Sequence, residues 1–420
     1  MEKRHPWSWI PSLYFAEGLP YVVVMTLSVI MYKRMEVSNA EIALYTSWLY
    51  FPWVIKPVWS PFVDLVKTKR WWVVTMQLLI GAGMAGVAFT LPGDFFLRFT
   101  LAFFWLMAFC SATHDIAADG FYMLGLSEEQ QAFFIGIRNT FYRIAMLTGQ
   151  GLLVMLAGYL EESTGRIPFA WSLVFFVLAG LFIGLALWHR YVMPSPASDQ
   201  QRKNVSPAAV LRGFGDTFVS FFRKPGIGVA ILFMLTYRLG ESQLVKLASP
   251  FLLDARDAGG LALSTGQVGF AYGTVGVIAL LLGGILGGMA ISRHGLKKWL
   301  WPMALAISLP NLVYLYMAYA MPENVFLVNA CVAVEQFGYG FGFTAYTMYL
   351  ILFSEGEYKT SHYAICTGFM ALGMMLPGMI SGWIQEMIGY QHFFIWVMIC
   401  CVPLFLVLPF IKVKSSGPED

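Results

Sequence analysis

A chain of 420 residues that is 58% hydrophobic and only 12% charged is not built for water, since soluble domains carry about 25% charged residues. That composition assigns an integral membrane protein. The net charge of +3, with no basic arm or stacking platform, speaks against a nucleic-acid binder.

The apolar runs predict an all-α integral membrane protein with twelve transmembrane helices, at about 20 residues per span. In the first half they cover residues 7–31, 40–62, 71–91, 95–124, 132–160 and 169–191. In the second half they cover 226–253, 265–291, 299–321, 325–353, 362–387 and 393–411. The first run is too long for a signal peptide and lacks a small-residue cleavage site, so a retained helix is expected. The most polar interruption, 193–224, separates one six-helix bundle (1–192) from a second (225–420) that ends in a short tail. Within it, 208–222 predicts an interfacial helix with Phe214, Phe218, Phe221 and Phe222 toward lipid. Trp7, Trp9, Trp71 and Trp72 read as interfacial belt. Cys110, Cys331, Cys366, Cys400 and Cys401 fall in apolar runs without ligand spacing, which predicts no disulfide framework, metal or cofactor.

Seventeen Lys and Arg residues, from Lys3 through the 67–70, 202–224 and 293–298 loops to Lys414, fall on one side of these spans. The other side has only Lys33, Arg34, Arg98, Arg166 and Arg256. An even number of spans then puts both termini and the central loop in the cytoplasm. The halves also match each other. Residues 118–128, ending in Ser127 and Glu128, align with 345–355, ending in Ser354 and Glu355. Gly158, Glu162 and Gly165 align with Gly382, Glu386 and Gly389, and Glu17 falls opposite Glu241. Such repeats predict two pseudo-symmetric bundles around a cavity.

Charge inside a span costs about 3 kcal/mol or more at its centre, so deep charged residues face a cavity or a partner. The acids are Glu17, Asp115, Asp119, Glu241 and Glu335, and the bases are Lys56, Arg138, Arg143, Arg238 and Lys246. At a rise of about 1.5 Å per residue, Glu17 and Glu241 lie half-way through their spans. A carboxylate at that depth can exchange a proton with either compartment, and this makes Glu17, with Asp115, the candidate for proton coupling. Gly18 and Pro20 predict a break in the first span that opens polar backbone to the cavity.

Candidate substrate contacts are Arg143, Arg238, Glu241, Lys246, Glu335, Gln336, Tyr339 and Tyr346. Arg143 suits a bidentate grip on a carboxylate, and the tyrosines suit stacking on sugar rings. For each the plainer alternative is a pair or a packing contact that holds helices together; Arg238 stands three residues before Glu241 and can pair with it. Asp115 and Asp119 share one helical face. Asp119 lies a turn nearer the cytoplasm and reads as part of a latch, with Asp64, Lys67, Arg70, Arg138 and Arg293 as the gating set. Lys56 reads as snorkelling or structural, and His114 as a packing histidine. Gly338, Gly340 and Gly342 allow a neighbouring helix to approach closely.

The loop Gly288-Met289-Ala290-Ile291-Ser292-Arg293-His294-Gly295-Leu296-Lys297-Lys298 resembles the Gly-x-x-x-Asp-Arg-x-Gly-Arg-Lys loop of the major facilitator superfamily, with Ser292 and Leu296 substituted. Four stretches carry a narrower likeness: Phe15-Ala16-Glu17-Gly18-Leu19-Pro20, residues 56–64, Asp115-Ile116-Ala117-Ala118-Asp119, and Tyr142-Arg143-Ile144-Ala145-Met146-Leu147. Together they resemble AmpG-type muropeptide permeases, whose eukaryotic branch carries acetyl-CoA. Residues 120–125 lack the base and further acid usual in that family. The resemblance implies a secondary transporter, not an enzyme, in a bacterial cytoplasmic (inner) membrane. It implies proton-coupled import of a polar amino-sugar or muropeptide-like solute by alternating access, carried out by a monomer. The alternatives are an exporter, a carrier of another anionic metabolite such as an acyl-CoA, or a non-transporting receptor. An enzyme would need a convergent nucleophile or metal set, which the sequence does not offer.

Overall fold

A computed structural model of the chain describes residues 5–196, 199, 207–356 and 358–413, and every regular element among them is helical. In order these are α1 (Ile10–Val22), α2 (Ser28–Arg34), α3 (Asn39–Trp48), α4 (Phe51–Leu65), α5 (Lys69–Thr90), α6 (Phe96–Gly125), α7 (Glu128–Leu147), α8 (Val154–Thr164) and α9 (Ile167–Val192). After the central loop come α10 (Pro207–Phe222), α11 (Ile227–Thr236), α12 (Leu239–Leu253), α13 (Thr265–Gly269), α14 (Val277–Ser308), α15 (Leu312–Ala320), α16 (Val325–Phe353) and α17 (Lys359–Val407). Among the described residues, eight helices are long and apolar enough to cross a membrane, or nine if a bent pair counts as one span. The longest, Thr265–Ala320 and Ser361–Phe410, each contain one glycine with non-helical backbone, Gly295 and Gly389, both at φ 74. Only glycine takes that backbone without strain.

The chain forms two compact units. The first comprises Met1–Met35 and Ile55–Arg212, the second Glu36–Val54 and Gly213–Asp420. Residues 36–54 thus associate with the second unit, although their place in the chain would assign them to the first. The cause is local bonding. Asn39 Nδ2 on α3 donates to Gln385 Oε1 (2.7 Å) and Tyr390 Oη (2.9 Å) of α17, and the Ala40 N–H donates to Glu386 Oε1 (2.8 Å). Gly382 lies so close that a Cβ there would sit 2.0 Å from the Asn39 carbonyl oxygen.

In the first unit α1 packs on α7, and α5 packs between α6 and α9. The expected break at Gly18 and Pro20 does not occur: α1 runs through both. Gly18 instead lets the helices close up, since a Cβ there would sit 2.9 Å from the Tyr142 carbonyl oxygen on α7. The irregularity comes one turn later, as a wide turn at Val23–Leu27 beyond Pro20. A proline removes one helical hydrogen bond and crowds the preceding turn. Trp9 is also not interfacial. It is fully buried and meets Phe121 edge-on at 5.1 Å.

In the second unit α14 and α16 cross at glycines. A Cβ at Gly340 would sit 2.1 Å from the Leu280 carbonyl oxygen, and one at Gly283 would sit 2.2 Å from that of Phe337. Backbone cannot yield as a side chain can. Gly340→Val is therefore expected to destabilise the protein by about 1–3 kcal/mol or more, seen as a lower melting temperature in detergent, whereas Gly288→Val, with open space around it, should melt with the wild type. Helix α10 forms where an interfacial helix is predicted, but Phe221 points into the protein, against Phe353, His362 and Phe369. Phe222 remains exposed. The Phe214 side chain lies outside the described residues.

Candidate functional site

In the first unit the deep charges converge on Glu17. Helix α1 presents this side chain between Asp115 and Asp119 of α6, Arg138 of α7 and Lys56 of α4, all near enough to act on it electrostatically. Lys56 Nζ pairs with Asp115 Oδ2 at 3.4 Å, and Arg138 Nη2 pairs with Asp119 Oδ1 at 2.9 Å. Tyr14 Oη also donates to Asp119 Oδ1, at 3.3 Å, and the Arg138 guanidinium lies over the Tyr14 and Tyr122 rings at 4.4 and 5.2 Å. Glu17 itself is 9% exposed, and its Oε2 has no hydrogen-bond partner among the described residues. Three acids face two bases. With all five ionised the group carries one uncompensated negative charge, and Glu17 is the acid without a base.

This geometry revises several readings. Lys56 is part of the cluster rather than a peripheral anchor. Of the gating set, Arg138 on α7 is the base that pairs with Asp119. The Arg70 guanidinium binds Ser195 Oγ at 2.7 Å and the Arg190 carbonyl, while the Lys69 and Arg70 N–H groups cap onto Asp199 at 2.7 and 3.1 Å. A helix N-terminus favours such an acid. Lys67 is exposed with φ 62. The Asp64 side chain lies outside the described residues, and Arg293 is exposed. Arg143, half-buried on α7, makes no ion pair with Asp115 or Asp119. Buried His114 bonds the Gln77 amide at 2.9 Å, and the same amide reaches His189 at 2.8 Å.

In the second unit the turn between α11 and α12 places Arg238 against Glu241. Its Nε and Nη2 donate to Glu241 Oε2 and Oε1 at 2.6 and 3.1 Å, a bidentate pair. Nη2 also donates to Tyr339 Oη at 2.9 Å, and the guanidinium lies 5.0 Å from the Phe343 ring. Lys246, one further turn along α12, is 2% exposed; its Nζ donates to Thr46 Oγ1 at 3.0 Å and lies 5.1 Å from the Tyr50 ring. No carboxylate pairs with it among the described residues. Glu335 accepts from its neighbour Gln336, Nε2 to Oε2, at 2.8 Å. Tyr346 does not belong to this group. Its ring stacks on Tyr237 at 4.8 Å, its hydroxyl donates to the Met234 carbonyl at 2.7 Å, and it is fully buried, so no face is left for a solute. Thr46 and Tyr50 were hidden from sequence reasoning because their only signal is contact with a residue some 200 positions away.

A family profile described as the BT1 family matches residues 16–217. The anhydromuropeptide permease of Escherichia coli K12 is 25% identical over 94% of this chain and 77% of its own length. AmpG 4 of Rickettsia conorii is also 25% identical, over 96% of each chain. The crystal structure of the nucleoside transporter NupG superposes with a TM-score of 0.72 at 16% identity, covering 99% of this chain and all of that one. The chain is thus similar to AmpG-type permeases in sequence and shares its fold with a solved transporter. The relatives named above are a permease and transporters, and the chain's many apolar helices make it a multi-pass membrane protein. The first unit holds a partly exposed, acid-rich group centred on buried Glu17; the second holds a buried bidentate pair beside an ammonium that has no carboxylate partner among the described residues.

Proposed function

We propose that the transporter is a proton-coupled importer of a polar amino-sugar or peptidoglycan-derived solute, working by alternating access in a bacterial cytoplasmic membrane as a monomer. The observation that carries this reading is the charge count around Glu17, where an acid without a base is held in a membrane-spanning unit among two neutralised ones. Such a group can take a proton from one side and release it to the other. Glu17 is the coupling site and Asp115 its relay. Arg143, Arg238, Glu241, Lys246 and Tyr339 contact the solute, and Lys246 suits a solute carboxylate because nothing anionic already holds it. Arg138 and Asp119 form the inner latch, with Asp64, Lys67, Arg70 and Arg293 gating around it. The name of the Escherichia coli relative, anhydromuropeptide permease, supports the solute class.

The proposed transporter has twelve spans, with both termini cytoplasmic, in bundles 1–192 and 225–420 joined by 193–224. Thr265–Ala320 has 56 residues, about 84 Å of helix at 1.5 Å per residue, against a hydrocarbon core of about 30 Å. Dividing it at Gly295, and Ser361–Phe410 at Gly389, turns eight spans into ten; Ile227–Leu253 and residues 39–65 bring the number to twelve.

The test is uptake of a radiolabelled anhydro-muropeptide into proteoliposomes, with amino sugars and an acyl-CoA as competitors. Accumulation with acid outside, blocked by unlabelled muropeptide, is expected. Accumulation that requires acid inside would make the protein an exporter. Competition by acyl-CoA alone would overturn the solute class.

A further inference from the structure

The second unit contains a carboxyl group that the cycle above leaves without a task. Glu335 on α16 is 4% exposed. Among the described residues its one hydrogen bond comes from Gln336, and none of their Lys, Arg or His nitrogens lies within 4.0 Å of it. The bases of its unit are engaged elsewhere, Arg238 on Glu241 and Lys246 on Thr46. The titratable groups that face it are Tyr272 from the wide turn Phe270–Gly276, Tyr314 from α15 and Glu241 from α12. Tyr272 and Tyr314 are hydrogen-bonded to each other. None of these neighbours supplies a positive charge.

An ionised carboxylate in that setting would stand uncompensated in a low-dielectric interior, which strongly disfavours the charged form. The other deep acids avoid this cost: Asp115 has Lys56, Asp119 has Arg138, and Glu241 has Arg238. Glu335 and Glu17 do not. Among the described residues they are the two of these five acids without a base, one in each unit. Its nearest partners, Gln336 and the hydrogen-bonded Tyr272–Tyr314 pair, suit a carboxyl that holds a proton better than one that grips a solute, so Glu335 moves here from the solute contacts to the proton sites.

We propose that Glu335 is a second proton-carrying site, so that each transport cycle moves two protons per solute. This rests on the proton-coupled reading. Coupling to two protons makes the solute accumulation ratio rise as the square of the proton gradient, and coupling to one makes it rise linearly. For a gradient of one pH unit the ratio is about 100-fold in the first case and about 10-fold in the second.

The experiment reconstitutes the full chain, clamps the membrane potential at zero, and measures the steady-state accumulation of labelled anhydro-muropeptide across a series of pH gradients. A log–log slope of two is expected for the wild type. Glu335→Gln, which keeps shape and removes the proton, is expected to give a slope of one with solute counterflow intact, and Glu335→Asp to restore a slope of two. Melting curves of the purified variants confirm that both are folded. A Glu335→Gln slope equal to that of the wild type overturns the inference while leaving proton coupling in place. Loss of counterflow in folded Glu335→Gln, regained in Glu335→Asp, also overturns it, by making Glu335 a solute contact. A wild type that accumulates nothing under a pH gradient overturns the coupled reading and this inference with it.

Discussion

Glu17→Gln should reduce solute accumulation driven by a pH gradient to the level of empty liposomes while leaving counterflow of the same solute in place. The amide has the shape of the acid but carries no exchangeable carboxyl proton. Removing the acid that has no base in this group also leaves two acids facing two bases, Asp115 with Lys56 and Asp119 with Arg138, so the group loses no charge compensation. Folding is therefore expected to be as robust as in the wild type, and a melting curve in detergent checks it. Counterflow is the informative control, because exchange of labelled for unlabelled solute needs binding and the conformational swing but no net proton movement. Gradient-driven uptake that survives the substitution would remove Glu17 as the coupling site. Loss of both activities in a folded variant would mean that Glu17 holds the solute or the access state instead.

The second large effect concerns Arg238. Arg238→Ala takes away a bidentate partner at 2.6 and 3.1 Å and leaves Glu241, itself buried, without a counter-charge. Breaking one side of a buried pair costs about 3–5 kcal/mol, and the variant should melt well below the wild type. The double variant Arg238→Ala with Glu241→Gln removes the stranded charge and should recover most of that stability. It should not recover transport if the guanidinium, held over Tyr339 and Phe343, contacts the solute. A single variant as stable as the wild type would show that water reaches the pair and screens it. A double variant that transports normally would reduce Arg238 and Glu241 to a packing pair.

Much of this protein was legible one residue at a time. Charge inside an apolar run is conspicuous because its cost does not depend on which helix lies opposite, so Glu17, Glu241, Glu335, Arg238 and Lys246 stand out from spacing and depth alone. The i to i+3 spacing of Arg238 and Glu241 even names the partner, since both ride on one stretch of backbone. Helical segments and the close-packing role of Gly340 and Gly342 are local properties too. The likeness of residues 15–20, 56–64 and 115–119 to AmpG-type permeases was carried by short motifs.

Partner choice between helices was not legible. Lys56 meets Asp115 across 59 positions and Lys246 meets Thr46 across 200, and nothing in either segment encodes the rotation that brings them together. For the same reason Trp9, Phe221 and Tyr346 looked interfacial or solute-facing by residue type and proved to be core: an aromatic ring is equally at home in a lipid belt and in a packed interior, and only the neighbouring helix decides. Sequence alone determined that the chain is a membrane-embedded, helical, charge-bearing relative of the permeases. Tertiary packing decided which acids are neutralised and which two, Glu17 and Glu335, are left without a base, because an ion pair forms or fails over a few ångströms that only the helix contacts set.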